Sequence, residues 1–299
     1  MNHTGANSQT TAVAIIPARF ASSRLPGKPL LQICGKPMIC RVVERALAAR
    51  NVSRVIVATD DDRVLKAVQS AGYEAIMTRA DHISGTDRLA EVAQTLPGAH
   101  IIVNVQGDEP LISPDTIDRV IESLATDSDC SLATTWEPIT ETAEALNPDV
   151  VKVVLAHEND DHNGGENYAI YFSRAAVPYP RDAVRRHGSV AAALEREPEL
   201  LKQFRKHTGL YVYRREFLLR FTSWPQAALE QLESLEQLRA LEHGVRIKII
   251  EASAPSIGVD TIEDLERVRA LIEQGSSSSG VSGPDKTKHE IPKTKLIGV

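Results

Sequence analysis

Cysteine is scarce in this chain: Cys34, Cys40 and Cys130 are the three among 299 residues, and no C-x-x-C pair links them. An odd count without such a pair excludes a disulfide framework and a zinc clip, so reduced thiols are expected. No run approaches the roughly 20 consecutive apolar residues of a membrane helix, and no basic start precedes an apolar stretch at the N-terminus. A chain neither spanning a membrane nor exported is expected, which places it in the cytoplasm. Net positive charge is missing too. At −6, the chain lacks the cationic excess from which a nucleic-acid binder draws its affinity.

One absence is local. No acidic residue occurs before Glu44, while Arg19, Arg24, Lys28, Lys36 and Arg41 all fall in that stretch. A cationic field on an acidic protein suits a small polyanion. The phosphate motifs that would name a common class are also absent: there is no G-x-G-x-x-G after the first apolar run and no G-x-x-x-x-G-K-[ST], which counts against hydride transfer and Walker-type hydrolysis.

Short Val/Ile-rich runs alternate with helical patterns, the signature of an α/β fold around a mostly parallel sheet. The spacing predicts strands over Ala12–Ile16, Arg54–Ala58, Glu74–Met77, His100–Val105 and Cys130–Thr135, with helices between them. After Trp136, the runs Val150–Leu155, Tyr168–Phe172 and Gly209–Tyr213 predict a smaller antiparallel lobe, an insertion at about 137–213. The stretch 156–167 is polar enough to be an exposed loop, and an irregular stretch is expected after Pro178. Ala227–His243 predicts one amphipathic helix with Leu229, Leu232, Leu235, Leu238 and Leu241 on its core or dimer face. Residues 1–12 and 275–299 lack apolar periodicity and read as a flexible N-terminus and tail flanking a single domain over 13–274.

In an open parallel sheet, ligands bind beyond the carboxyl ends of the strands. The loop after the first strand, Pro17–Leu30, offers arginine forks and a compact lysine charge, the groups that match a triphosphate. Asp108 in QGDEP and Asp260 in GVD are carboxylates delivered from strand ends, the hard oxygens Mg²⁺ takes alongside phosphate and water. Asp260 also stands where a helix cap belongs. Arg79, Ser84 and Gly85, in a fourth loop, are placed to read a base; His82 in the same loop carries no assigned role.

The strings IIPARFASSRLPGKPL, VIVATDD, MTRADHISGTDRLAE, VNVQGDEP, NPDVVKVV, YFSRA, HTGLYVYR, LEQLESLEQLRAL and GVDTIEDLERVR, in this order from about Ala14 to Glu273, resemble the 3-deoxy-D-manno-octulosonate (Kdo) cytidylyltransferases of the nucleotide-diphospho-sugar transferase fold. The resemblance implies a Rossmann-like cytidylyltransferase domain that transfers CMP from CTP to Kdo, giving CMP-Kdo and pyrophosphate and activating the sugar for lipopolysaccharide biosynthesis. It implies that Arg19, Ser22, Arg24 and Lys28 hold the CTP phosphates and that Arg79, Ser84 and Gln106 read cytosine or ribose. Asp108 and Asp260 would hold Mg²⁺, and Arg174, Arg181, His207, Tyr211, Glu236 and Gln237 would line the sugar pocket. Arg19, Arg24, Lys28, Asp108 and Asp260 form the implied catalytic set. Family members are homodimers, which suits the leucine-rich segment. Phe20 departs from the tyrosine often found after that arginine. A related acid sugar, amino-substituted Kdo or a sialate, is the alternative substrate class; a non-catalytic nucleotide-binding regulator is the other alternative, disfavoured because both aspartates are present.

Overall fold

The computed structural model describes residues 12–21, 25–157 and 167–278. In chain order the strands are β1 (Ala12–Ala18), β2 (Gln32–Ile33), β3 (Lys36–Pro37), β4 (Val52–Thr59), β5 (Glu74–Met77), β6 (Ile101–Asn104), β7 (Leu132–Pro138), β8 (Lys152–His157), β9 (Asn167–Ser173), β10 (Arg205–Arg214) and β11 (Ile247–Glu251). The helices are α1 (Met38–Leu47), α2 (Asp62–Ser70), α3 (Gly85–Gln94), α4 (Pro114–Thr126), α5 (Thr142–Leu146), α6 (Arg181–His187), α7 (Val190–Arg196), α8 (Arg215–Phe221), α9 (Ala228–Glu233), α10 (Gln237–Glu242) and α11 (Ile262–Ser278).

Nine strands form one sheet in the order β5-β4-β1-β6-β10-β7-β11-β9-β8. β4, β5 and β6 run parallel to β1 through the ladder, whereas β10 enters antiparallel between β6 and β7. The antiparallel strands expected of a smaller lobe join this same sheet, with β8 and β9 as a hairpin at its far edge. Sheet order reverses direction at β1, with β4 on one side and β6 on the other, so a crevice opens between the carboxyl ends of β1 and β6.

The near-continuous apolar strands follow from burial on both faces. Ile16, Val57 and Val103 point into a core made with α1, α2 and α4. Ile15, Ile56 and Ile102 point the other way, against Leu89 of α3, Phe217 of α8 and Leu238 of α10. The insertion has a small core of its own, Ile139, Ala145, Leu194, Leu201 and Phe204.

Three sequence expectations are corrected here. The single helix over 227–243 is two, α9 and α10, broken at Ser234, whose φ of 52° is left-handed. Leu235 and Leu238 are buried, but Leu232 is 81% exposed, so the leucine stripe is not one face. The buried ion pair of Arg239 with Glu230 clamps the two helices across the break, Nε to Oε2 at 2.8 Å. The stretch after Pro178 contains α6 and α7, separated by Gly188 at φ 90° and restarted by the Ser189 cap; each helix spans only seven residues, too short to show a period. Finally, α11 runs to Ser278, into the segment read as tail. The remainder of that tail, the N-terminus before Ala12 and loop residues 158–166 lie outside the described residues.

Candidate active site

The crevice at the end of β1 is built by local turns. Gly27, at φ 70°, lets the chain reverse after Leu25 and starts the 3-10 turn Lys28–Leu30, which aims the Lys28 side chain back over the strand ends. Lys28 Nζ donates to Asp108 Oδ2 at 2.6 Å and to Asp260 Oδ1 at 2.9 Å. Burial opposes the charge on Lys28, yet the two carboxylates outweigh it and hold the ammonium pKa above its ordinary value. Arg19, Lys28, Gln106 and Asp108 line one hollow, whose floor is Pro17 and Met38. Gly107 is obligatory in that floor: a Cβ there would sit 2.8 Å from the Pro17 carbonyl oxygen.

Asp260 reaches this hollow because α11 packs back onto the phosphate loop. Val259, Leu265 and Val268 bury with Leu25, Ile33 and Met38, and Arg269 Nε donates to the Gln32 carbonyl at 2.9 Å. The cap reading of Asp260 is thereby decided. Thr261 and Asp264 form the box at this helix start: Thr261 Oγ1 accepts from the Asp264 amide at 3.1 Å, and Asp264 Oδ2 accepts from the Thr261 amide at 2.9 Å. Asp260 is left with its carboxylate on Lys28 and 51% exposed.

Beside the hollow, sharing Pro17 and Gln106 with it, lies a cavity of about 210 Å³ lined among others by Thr86, Asn104, Tyr211, Tyr213, Glu236 and Gln237. The break at Ser234 is what turns Glu236 and Gln237 into it. Gln106 bridges the two spaces, its Nε2 donating to the Gly209 carbonyl at 2.9 Å. Gly209 lies in the bulge of β10 between Thr208 and Tyr211, and a Cβ there would press on Gln106 Cγ at 3.0 Å. Burial raises the pKa of Glu236 against the opposing hydrogen bond of Thr86 and charge of Arg239. On β10, His207 meets Thr134 Oγ1 at 2.9 Å and packs edge-on against Phe172; burial pushes its pKa down to about 3. Glu109, next to Asp108, is driven by burial and then by that neighbour's charge up to about 7.

The structure thus brings Arg19, Lys28, Gln106, Asp108 and Asp260 together, and Gln106, Tyr211, Glu236 and Gln237 around the adjoining cavity. Five sequence candidates stand apart, and one of them is His207, which packs against Thr134 and Phe172 and lines neither space. Arg79 is exposed, 3.5 Å from Asp81, and lines an outer cavity with His82 and Ile83. The Ser84 hydroxyl is engaged as the cap of α3, accepting from the Asp87 amide at 3.0 Å. Arg174 holds chain rather than cavity, donating to the carbonyls of Glu233 at 2.7 Å and Pro148 at 2.9 Å. Arg181 is exposed at the start of α6 and lines neither space. Ser22 and Arg24 lie outside the described residues. Sequence reasoning missed Thr86, Asn104 and Tyr213; only Asn104, polar in the otherwise apolar strand IIVN, left a visible signal.

Asp108 and Asp260 are two hard carboxylate oxygens facing one point, a donor set that fits Mg²⁺ once phosphate or water completes it. Among the described residues no group of three or more His, Cys, Asp or Glu is placed to hold a metal ion. Arg19 and Lys28 stand beside the pair, as a polyanion needs.

Residues 13–247 match the model of a family described as cytidylyltransferase. The chain is 53% identical over 262 residues to a 3-deoxy-manno-octulosonate cytidylyltransferase of Pseudomonas fluorescens, covering 87% of this chain and 97% of that one. It is 48% identical over 263 residues to the protein of the same name from Yersinia enterocolitica, covering 87% and 98%. Among solved structures, a CMP:2-keto-3-deoxy-manno-octonic acid synthetase complexed with CTP superposes with a TM-score of 0.76 at 45% identity, over 89% of this chain and 99% of the other. A 4-diphosphocytidyl-2C-methyl-D-erythritol synthase from Anaerococcus prevotii, at 11% identity and TM-score 0.55 over 89% and 99%, shares the fold.

Proposed function

This chain belongs to the cytidylyltransferase family, and from that premise we propose how its site transfers CMP from CTP to Kdo. The protein is a nucleotidyltransferase of the nucleotide-diphospho-sugar transferase fold. The observation that carries the reading is the pair of adjoining spaces joined by Gln106, one lined by cations and a carboxylate, the other by hydroxyl, amide and carboxyl groups. The first takes the triphosphate, the second the polyhydroxylated acid sugar.

In the reaction, the anomeric hydroxyl oxygen of Kdo attacks the α-phosphorus of CTP in line, the bond to the bridging oxygen breaks, and pyrophosphate leaves with that electron pair. The hydroxyl proton passes to solvent. Arg19 and Lys28 stabilise the charge that grows on the departing pyrophosphate. Asp108 and Asp260 would hold the divalent cation, Mg²⁺ in this reading, which when bound neutralises phosphate oxygens and lowers the pKa of the attacking hydroxyl. Gln106 sets the distance between the subsites from its anchor on Gly209. Tyr211, Glu236 and Gln237 orient the sugar by hydrogen bonds. Arg24 and Ser22, on the phosphate loop, and Arg79 and Ser84, in the base loop, complete the nucleotide contacts of this reading. His207, Arg174 and Arg181 line neither space in this structure and act on the sugar side, in this reading, only from outside the cavity wall.

A cytoplasmic homodimer is part of the same proposal. Among the described residues no helix is long and apolar enough to cross a membrane, and Ile170 and Tyr179 are large exposed apolar side chains on the 139–204 segment, 56% and 60% accessible. Sedimentation at equilibrium tests the dimer.

Pyrophosphate release is the test of function. It is expected with CTP, Mg²⁺ and Kdo together and with none of the three omitted. UTP should be far poorer, because groups matched to a 4-amino donor are left unpaired opposite a carbonyl. Equal turnover with ATP, or with a hexose 1-phosphate in place of Kdo, overturns the assignment; faster turnover with an amino-substituted Kdo or a sialate moves it to that acid sugar.

A further inference from the structure

β6 reads Ile-Ile-Val-Asn, and its last residue interrupts an apolar row across the sheet. Directly opposed partners share a face, and the row through Asn104 runs Ile15, Asn104, Tyr211, Thr134 and Ile249. Ile15 and Ile249 are core. Asn104 is 3% exposed, and its side-chain Oδ1 is buried without any hydrogen-bond partner. A buried amide oxygen in that state is costly, and proteins keep few of them. Turning the amide over exchanges oxygen for nitrogen and still leaves one polar atom unanswered.

The surroundings say what is missing. Asn104 lines the same cavity as Tyr211, Glu236 and Gln237. Gln106 is tied to Gly209. An unanswered buried acceptor in the wall of a cavity is set for a donor that arrives with the ligand.

We infer that Asn104 is a specificity residue for the sugar, its Oδ1 accepting a hydrogen bond from one hydroxyl of the bound acid sugar. The inference rests on the reading of this cavity as the sugar subsite. The sugar is favoured over the base as the source of the donor because Asn104 shares its wall with three of the sugar candidates, Tyr211, Glu236 and Gln237, whereas of the base candidates Gly85 and Gln106 line it and Arg79 and Ser84 do not. It acts in binding, not at the reacting atoms.

The test uses the full chain and Asn104→Leu, close in shape and without polar atoms. With CTP and Mg²⁺, the variant should raise the KM for Kdo at least tenfold and leave the KM for CTP within twofold. Its Tm should hold or rise, because an orphaned acceptor has been removed. Monodeoxy Kdo analogues then locate the hydroxyl: one analogue should cost the wild type as much as the substitution does, and cost Asn104→Leu nothing more. An unchanged KM for Kdo, an equal rise in KM for CTP, or losses that add for every analogue overturns the inference. Should Asn104→Leu fail to fold, Asn104→Val and Asn104→Ser carry the same readouts. Wild-type failure to release pyrophosphate from CTP and Kdo sinks the functional reading itself, whereas normal wild-type turnover with an indifferent Asn104→Leu sinks only the role of Asn104.

Discussion

The backbone amide of Val259 donates to the carbonyl of Asp108 at 2.9 Å. That bond fastens the loop after β11 to the loop after β6, and so presents the carboxylates of Asp108 and Asp260 to the same lysine. With Lys28 between them, two like charges coexist at a strand-end crevice.

Asp260→Asn keeps the shape and removes the charge. Since Thr261 and Asp264 cap α11, stability should change by less than about 1 kcal/mol, as for other exposed ion pairs. Turnover should fall by about 100-fold or more, with a raised Mg²⁺ requirement, because a hard ligand is lost. Asp108→Asn should behave alike. Rates against Mg²⁺ concentration beside thermal melts decide it; a fully active Asp260→Asn enzyme removes that residue from the site.

Lys28 takes one oxygen of each carboxylate, so its charge competes with a metal ion for the pair. Lys28→Met should therefore bind Mn²⁺ more tightly than wild type when no nucleotide is present, while losing turnover by about 100-fold through the missing phosphate contact. Titration followed by Mn²⁺ paramagnetic resonance reads the first effect. Weaker metal binding in Lys28→Met would show that the lysine does not compete.

Gly107→Ala would place a Cβ 2.8 Å from the Pro17 carbonyl oxygen. Backbone on both sides leaves no flexible group to give way, so the substitution should cost about 1–3 kcal/mol and displace Asp108 with its loop. A lowered Tm together with slowed turnover is expected. An unchanged melt would mean that the two loops part freely.

His207 is held neutral in the fold, its pKa pushed by burial to about 3 from an ordinary 6.5. Unfolded chain therefore binds a proton between pH 6.5 and 3 that folded chain does not, and stability is lost as pH falls through that window. Above pH 6.5 both states are neutral and the effect vanishes. Comparing His207→Gln with wild type by denaturant unfolding, the difference in stability should shift by about 2 kcal/mol in favour of the variant between pH 7.5 and 5, at about 1.4 kcal/mol per pH unit. A constant difference would place His207 in contact with solvent.

Much of the frame was legible in the chain. Val/Ile-rich runs marked β1, β4, β5 and β6 within a few residues, with helices between them, because burial of a parallel strand on both faces writes itself into consecutive apolar residues. The cations of the first loop and the carboxylates of QGDEP and GVD were visible as residue types at strand ends. The leucines over 229–241 misled, since Ser234 in a left-handed conformation breaks the helix that their spacing implied. Short helices such as α6 and α7 gave too few turns for a period to register.

Sequence alone determined the strands of the parallel half and which charges end them, because local patterning and strand termination are short-range properties. Tertiary structure decided that Asp260 faces Lys28 while Thr261 caps the helix, since only the packing of α11 on Leu25, Ile33 and Met38 brings that loop home. It also decided that Glu236 and Gln237 enter the cavity, through the break at Ser234, and that Arg174 spends its guanidinium on backbone carbonyls. Asn104 shows the difference most plainly: its place in β6 was local, but its unanswered Oδ1 arises from neighbours on β10, α3 and α10 that are distant along the chain and adjacent only once the sheet has formed.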